Sequence, residues 1–486
     1  MNWSNISRYV GYALLVDALF MLISTVIAWC DPADTASAPF FISFLLTFSF
    51  GIFPFIFVHR TTFLSLREGY VIIVLSWLLS FVFGMLPYLL WGGPFTVSNA
   101  WFESVSGFTT TGATVLSEVE SLPKALLFWR SSTHFIGGLG VVVFLLLIIP
   151  DSSPMRLRLT NMELSLLSKN EYHTRRSKIV NIFTSVYIGL VVSCFLLYVA
   201  AGMSPFQAIN HAFSVCATGG FSSRNYSIAS FDSLPITIIT MVYMFLASIH
   251  FGIIYLVFVT RSLKPLNNHV LKFYAGYLAI LSLIAMVILK LKGFSDTWGQ
   301  ALVDGSFQML SYASTTGFAT ADNSNWPFYL TFLMMFGGSI CGMAGSTTGG
   351  IKSDRMIILL RTINAQIKHS LHPSDVTELK YGGKNLSMEE VFPHILYVVV
   401  FVFFWVVSIA LALFAGVSTR DAMVGTLSSL TNVGPAVGEL GTFGNFGAQP
   451  GFAKFIYTMD MFFGRVEIYP VLSIFYLVFE RRPRFR

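Results

Sequence analysis

Ten stretches of this chain are apolar over about 20 residues, the length a helix needs to cross the hydrocarbon core of a bilayer. They are Tyr9–Trp29, Phe40–Val58, Tyr70–Trp91, Ala125–Ile149, Ile179–Ala201, Pro235–Thr260, Phe273–Leu291, Trp326–Leu360 (long and interrupted), Val391–Phe414 and Phe452–Val478. Charged residues make up 11% of the 486 positions, where a soluble domain carries about a quarter. The mean hydropathy is +0.70. The sequence therefore predicts an all-α integral membrane protein of about ten transmembrane helices. Forty-eight Phe residues suit a lipid-facing exterior. Arg8 before an apolar run resembles a signal peptide, but the run holds Asp17 and lacks a convincing cleavage site, so it reads as a retained helix.

Orientation follows from Lys and Arg in the connections. With the N-terminus inside, 22 of the 30 basic residues fall in the N-terminal tip, His59–Gly69, Asp151–Lys178, Arg261–Lys272, Lys352–Glu390 and Glu480–Arg486. Both termini are thus expected in the cytoplasm. The net charge of +6 reads as topology bias rather than a nucleic-acid footprint, and membrane lipid is the expected surrounding partner. Cys30, Cys194, Cys216 and Cys341 are scattered and suggest neither a disulfide framework nor a metal site.

Four segments between spans look alike: Phe108–Thr114, Cys216–Phe221, Ser314–Ala319 and Thr431–Pro435. Their aligned glycines, Gly112, Gly219, Gly317 and Gly434, recur at roughly 100 to 120 residues, an internal four-fold repeat. Each follows a semi-apolar stretch too short to span: Ser98–Phe108, Pro205–Val215, Gly299–Ala313 and Thr419–Leu430. These read as re-entrant half-helices, with the glycine segment climbing back. Such backbone is tolerated at membrane depth only when buried in protein or lining a watery cavity. The chain then divides into an N-terminal helix pair (1–66) and four pore units: 67–150, 151–261, 262–370 and 371–486. Asp151–Lys178 and Ile363–Glu390 are the long cytoplasmic connections, and Leu371-His372-Pro373 ends any continuation of the eighth helix.

Rings of backbone carbonyls can replace the water of a dehydrated cation, and half-helix C-termini add partial negative charge. The four core segments contain no carboxylate. That favours a weakly hydrated monovalent ion, potassium above calcium or magnesium. Below them lies Gly337–Lys352, rich in Gly and Ala. Its helix is expected to break near Gly342 and resume near Ile351, as a gate. Arg465, inside the tenth window, is costly there; it either braces Gly342–Gly350 through carbonyls or pairs with Glu467 or Asp460. Lys352 serves the gate or snorkels to the surface. His134, His211 and His250 read as packing residues. Glu103 either makes the outer vestibule negative or holds its half-helix. No phosphate-binding loop, zinc-protease or nucleophile-elbow motif occurs, so no enzyme activity and no cofactor is expected.

The four loops, Phe135-Ile136-Gly137-Gly138-Leu139-Gly140, Gly345–Lys352 and Gly464-Arg465-Val466-Glu467 together resemble the Trk/Ktr/HKT superfamily of potassium transporters. The extra N-terminal helix pair is similar to the TrkH branch rather than the Ktr branch. The resemblance implies potassium uptake across a bacterial inner membrane, with a sodium- or proton-coupled symporter as the alternative mechanism. It implies a homodimer, with one pore per subunit, gated by a cytosolic nucleotide-binding ring of the Trk regulatory type. Carried over, the filter residues are Thr110, Thr111, Gly112, Ala217, Thr218, Gly219, Thr315, Thr316, Gly317, Asn432, Val433 and Gly434. The gate set is Gly342, Gly345, Ser346, Thr347, Thr348, Gly349, Gly350, Lys352 and Arg465. The fourth loop departs most, through Val433 and Pro435, and weaker ion discrimination is expected there.

Overall fold

A computed structural model describes residues 2–59, 65–148, 176–373, 379–381 and 384–479. The connection 151–175 and the basic tail 481–486 lie outside these residues. All ten apolar windows carry helix. Two helices, α1 (Trp3–Cys30) and α2 (Ser37–Phe57), precede the repeated part. They pack along small residues: a Cβ on Gly11 would stand 2.7 Å from the Gly51 carbonyl oxygen. Close backbone approach of this kind is how helices associate where lipid removes the hydrophobic drive. Phe50, Phe53 and Phe57 point outward from α2, an apolar exterior suited to lipid.

Next come α3 (Leu66–Gly84), the short α4 (Leu86–Trp91), α5 (Val97–Phe108) and α6 (Lys124–Ile148). The second unit holds α7 (Arg176–Ala200), α8 (Pro205–Cys216), α9 (Leu234–Ala247) and α10 (Phe251–Thr260). The third holds α11 (His269–Leu291), α12 (Trp298–Ala313), α13 (Phe328–Gly338) and α14 (Ser353–Leu371). The last holds α15 (Met388–Phe414), α16 (Thr419–Thr431), α17 (Gly451–Val466) and α18 (Ile468–Phe479). Among the described residues six helices are long and apolar enough to cross a membrane, and the pair α9–α10 would make a seventh. The protein is a multi-pass membrane protein.

The sixth and tenth windows, which read as single runs, are broken, as is the eighth, where an interruption is expected. The sixth bends by 101° between Ala247 and Phe251. No proline lies at the bend; the freed carbonyls of Ala247 and Ser248 instead accept from the amides of Thr347 and Met343. The eighth window breaks earlier than expected. Its helix ends at Gly338, not near Gly342, and resumes at Ser353. Two-residue strands β1 (Ile340–Cys341) and β2 (Ile351–Lys352) pair in parallel across the gap and close residues 342–350 into a loop. Helix α14 then runs through Ile363 to Leu371, where Leu371-His372-Pro373 is expected to end it. The tenth window breaks at Glu467, whose φ of 65° stops α17 while its carboxylate pairs with Arg355 at 2.8 Å.

A branched side chain at Gly11 would drive α1 off Gly51. Gly11→Ile is expected to cost about 1–3 kcal/mol, as overpacking does, and to lower the melting temperature in detergent. An unchanged melting temperature would show that the pair is not held by this contact.

Candidate ion site at the centre of four loops

The four half-helices α5, α8, α12 and α16 are built alike at both ends. Each begins on a Ser or Thr N-cap, and the side chains of Thr96, Ser204, Thr297 and Ser418 accept the amides of Asn99, Gln207, Gln300 and Asp421. Such caps hold the first turn where orphan amides would otherwise remain. Each helix ends in a left-handed residue: Thr110 (φ 51°), Thr218 (φ 56°), Thr315 (φ 55°) and Asn432 (φ 59°). This conformation costs an ordinary L-residue roughly 1–2 kcal/mol. It is offset by paired Schellman bonds: Thr111 N–H to Ser106 O with Thr110 N–H to Gly107 O, then Gly219 to Ser214 with Thr218 to Val215, Thr316 to Ser311 with Thr315 to Tyr312, and Val433 to Ser428 with Asn432 to Ser429.

Two residues after each left-handed residue stands a glycine of positive φ: Gly112 (78°), Gly220 (80°), Gly317 (76°) and Gly434 (92°). The second loop is therefore shifted by one from the sequence alignment. Gly220 is the counterpart of Gly112, and Thr218-Gly219-Gly220 matches Thr110-Thr111-Gly112. Ala217 falls one step earlier, level with Thr109. The signal that sets this register is a serine six residues before each glycine, Ser106, Ser214, Ser311 and Ser428. Three of these serines donate to the carbonyl just past the glycine: Ser106 to Ala113 at 2.6 Å, Ser311 to Phe318 at 2.6 Å and Ser428 to Pro435 at 2.9 Å. In the second loop Ser214 instead meets His134 Nδ1 at 3.0 Å, and the imidazole stacks on Phe221.

The loops close on one another in sequence order. A Cβ on Gly112 would collide with the carbonyl oxygen of Gly219. On Gly220 it would strike Thr316, on Gly317 Val433, and on Gly434 Thr111. Each glycine thus lies against the next loop's carbonyl, and the fourth returns to the first. On one side this ring opens to a cavity lined by all four glycines together with Arg130 and Arg224. The fourth loop keeps the common backbone despite Val433 and Pro435, so its difference is confined to side chains.

On the other side sits the 342–350 loop. Thr218 Oγ1 donates to Thr347 O at 3.0 Å, and the Gly349 amide donates to Thr315 Oγ1 at 3.0 Å. A Cβ on Gly349 would lie 2.7 Å from Thr431 O and 2.8 Å from Asn432 Oδ1. The loop thereby touches three of the four filter candidates. Ser346 Oγ bonds Thr348 Oγ1 at 2.8 Å, Ala344 N–H donates to Asp354 Oδ2 at 2.8 Å, and Phe251 N–H donates to Gly345 O at 3.1 Å. Gly342 packs on Ser248, Gly345 on His250 and Gly350 on Cys341, each too close for a side chain. Lys352 Nζ donates to the Thr348 carbonyl and, at 3.0 Å, to its hydroxyl. It braces the loop rather than reaching for the surface. Arg465 donates to the Thr347 carbonyl and to Gly137 O at 3.1 Å. Of its two expected roles, the carbonyl brace is the one the geometry adopts. Glu467 pairs with Arg355, and Asp460 accepts from Ser408 at 2.5 Å.

With this geometry in place, comparison with known proteins is decisive. The profile of the TrkH family, described as cation transport protein, matches residues 36–482. The chain belongs to this family. The Trk system potassium uptake protein TrkH of Salmonella typhimurium is 31% identical over 489 residues, spanning 99% of this chain and 100% of that protein. Its Escherichia coli namesake is 31% identical over 493 residues. The crystal structure of the potassium transporter TrkH from Vibrio parahaemolyticus superposes with a TM-score of 0.88 at 30% identity, covering 98% of both chains. Membership makes the chain a membrane transport protein and not an enzyme.

One member of the site is invisible in the hydropathy of its family segment. Arg130, buried in α6, pairs with Glu103 at 2.8 Å and donates to Ser222 O at 3.2 Å, with its guanidinium over the Phe221 ring. Glu103 also accepts from Thr114 Oγ1 and the Val115 amide. It holds the first loop to the second instead of facing the vestibule. His211 is likewise bonded, to Gln207 O and Ser222 Oγ, and His250 Nδ1 caps the Gly252 amide. Among the described residues no group of three metal-ligating side chains occurs.

Glu103→Ala would strand the Arg130 charge. Breaking a buried pair from one side costs about 3–5 kcal/mol, so this variant should lose folded protein in a detergent melt. The double change Glu103→Gln with Arg130→Met should recover much of it. A single variant as stable as the parent would mean the pair does not hold the loops.

Proposed function

We propose that this chain takes potassium into the cell through the ring formed by its four loops. The observation that supports the reading best is the closed cycle in which Thr111, Gly219, Thr316 and Val433 each set a carbonyl against the preceding loop's glycine. Four uncharged carbonyls from four equivalent loops offer oxygen ligation to a monovalent ion without a fixed charge that would trap it. The half-helices aim the partially negative ends of their dipoles toward the same centre. The filter comprises Thr110–Gly112, Thr218–Gly220, Thr315–Gly317 and Asn432–Gly434, and Ala217 belongs to the cap of the second half-helix.

Flow is controlled by Gly342–Gly350, which lies against the second, third and fourth loops and is pinned by Arg465 and Lys352. The protein sits in a bacterial inner membrane with both termini in the cytoplasm, works as a homodimer with one pore per subunit, and is regulated by a cytosolic nucleotide-binding ring. Relatives named as Trk system potassium uptake proteins support potassium as the ion and a Trk-system setting; the basic bias of the expected cytoplasmic connections supports the orientation; the homodimer and the ring are what the family resemblance implies. Permeation is passive: the ring gives a route for the ion, and no carboxylate lies in it to serve as a proton or sodium relay.

Proteoliposomes carrying the full chain test the filter. Gly220→Ala, like Gly112→Ala, should reduce the potassium-over-sodium permeability ratio by about tenfold or more, a loss of about 1.4 kcal/mol of discrimination. Reversal potentials unchanged by both substitutions would overturn the filter reading. A reversal potential that follows an imposed proton or sodium gradient would replace the passive mechanism with a coupled one.

Arg465→Gln should free the Thr347 carbonyl and raise open probability in single-channel recordings. Closed times as long as those of the parent would place control elsewhere.

A further inference from the structure

We propose that Asp17 is a proton-binding site inside the membrane, at the seam between α1 and α3, and that the proton it carries exchanges with water and holds α1 on the first pore unit. The site lies outside the four loops, and neither it nor its test depends on the filter reading.

Asp17 stands near the middle of α1 and is completely buried. Ser80 Oγ on α3 donates to its Oδ2 at 2.7 Å. The other oxygen, Oδ1, has no hydrogen-bond partner. Neither has the buried hydroxyl of Ser76, one turn earlier on the same face of α3. These two serines differ from the hydroxyls around them. Ser24, Thr25, Ser43 and Thr47 each donate to the carbonyl four residues back in their own helix, the local bond such residues make in mid-helix. Ser80 gives that bond up for the carboxylate, and Ser76 makes none.

No cation balances the carboxylate. Among the described residues Asp17 has no ion pair, and the charged groups of the helices packed on α1 are committed elsewhere. Arg8 of α1 itself donates to Val58 O at 2.6 Å, and Tyr9 and Tyr12 lie nearer the N-terminus. Helix α2 carries no titratable side chain. On α3, Arg67, Glu68 and Tyr70 all lie in the first turns, and Glu68 accepts the Asn2 and Ser65 amides. On α6, Lys124 pairs with Asp31, Arg130 with Glu103, and His134 bonds Ser214. An ionised carboxylate without a counter-charge is costly in such surroundings, and it takes the neutral form instead. The proton then sits on Oδ1, the atom with nothing bound. A metal cation fits less well. Both helices are unbroken at Asp17, Ser76 and Ser80, so no backbone carbonyl is freed to complete a coordination shell, as happens where transporters hold sodium.

The site also reaches the pore wall. Phe20, one turn along α1, sets its ring 5.6 Å from Phe135 of α6 and 6.4 Å from Phe213 of the second half-helix. The folded chain holds a proton here that the unfolded chain releases at neutral pH, so the stability this site contributes falls as pH rises.

The test treats the full-length chain in proteoliposomes with dicyclohexylcarbodiimide, an apolar probe of protonated carboxyls. The acid O–H adds across a carbodiimide C=N bond, and acyl migration from oxygen to nitrogen leaves an N-acylurea with nothing expelled. Mass spectrometry of the α1 peptide reads the label. Asp17 is expected to be labelled at neutral pH, with labelling falling about tenfold per pH unit once the acid is largely ionised, and with sodium at constant pH having no effect. An unlabelled Asp17, or a label independent of pH, would overturn the proposal. A label suppressed by sodium would replace the proton with a metal cation. Asp17→Asn keeps the shape and the oxygen that Ser80 bonds but cannot ionise. Its melting temperature in detergent should lack the decline with rising pH that the parent shows. A parent that declines no more steeply than this variant would refute the link between the proton and the seating of α1.

Discussion

Everything at the centre of this protein depends on how closely one loop's Cα can approach the next loop's carbonyl. At four places the chain leaves helical geometry inside its own core, and at each the neighbouring carbonyl occupies the space where a Cβ would be. One residue type fits there, and it must also adopt positive φ. Because the contacts run from first to second to third to fourth and back to first, no loop can be displaced alone. The ring is held by backbone packed on backbone.

Backbone that leaves a helix at membrane depth must find new partners within the protein, and here the broken segments satisfy one another. The half-helix ends are closed by their own Schellman bonds. The bend between α9 and α10 frees the Ala247 and Ser248 carbonyls, and the amides of Thr347 and Met343 take them up. The same loop returns its Gly345 carbonyl to the Phe251 amide at the start of α10. The two breaks are therefore one structural event distributed over two units. Displacing 342–350 would leave unpaired groups at the bend, which ties this loop to a helix roughly a hundred residues away in sequence.

The readable and the unreadable parts of the sequence divide along this line. Half-helices were legible to within one or two residues, because each is bounded by local signals: a Ser or Thr cap in front and a small-residue turn behind. The bend at Ser248 was not legible. Its cause is the 342–350 loop, and a continuous apolar run with no proline carries no trace of a distant donor. Gly219-Gly220 was ambiguous for a different reason, since either glycine satisfies a Thr-Gly match. The serine at the third-last helical carbonyl resolves it, but that serine acquires meaning only once the cap is known. Arg130 was averaged away inside an apolar window. Arg465 stood out, and both its expected partnerships were reasonable until Glu467 was found committed to Arg355.

The fourth loop shows how far a repeat can drift without losing its form. Val433 stands where the other loops have Thr111, Gly219 and Thr316, and Pro435 where they have Ala113, Phe221 and Phe318, yet Asn432 (φ 59°) and Gly434 (φ 92°) keep the positive φ of their counterparts. The ring is built from backbone, so it tolerates the change. What the drift alters is the layer of side chains below. Asparagine can hold the left-handed conformation at lower cost than threonine and brings two functional atoms where threonine brings one. Its amide nitrogen is anchored to the first loop and to α17, and its carbonyl oxygen lies between Gly349 of the 342–350 loop and Gly464 of α17. The second loop drifts differently, replacing a serine–carbonyl brace with His134 stacked on Phe221. Divergence in both cases falls on the side chains that support or line the ring, and the four glycine–carbonyl contacts are untouched. That pattern is what is expected if the contacts that close the ring are the constraint the repeat cannot lose.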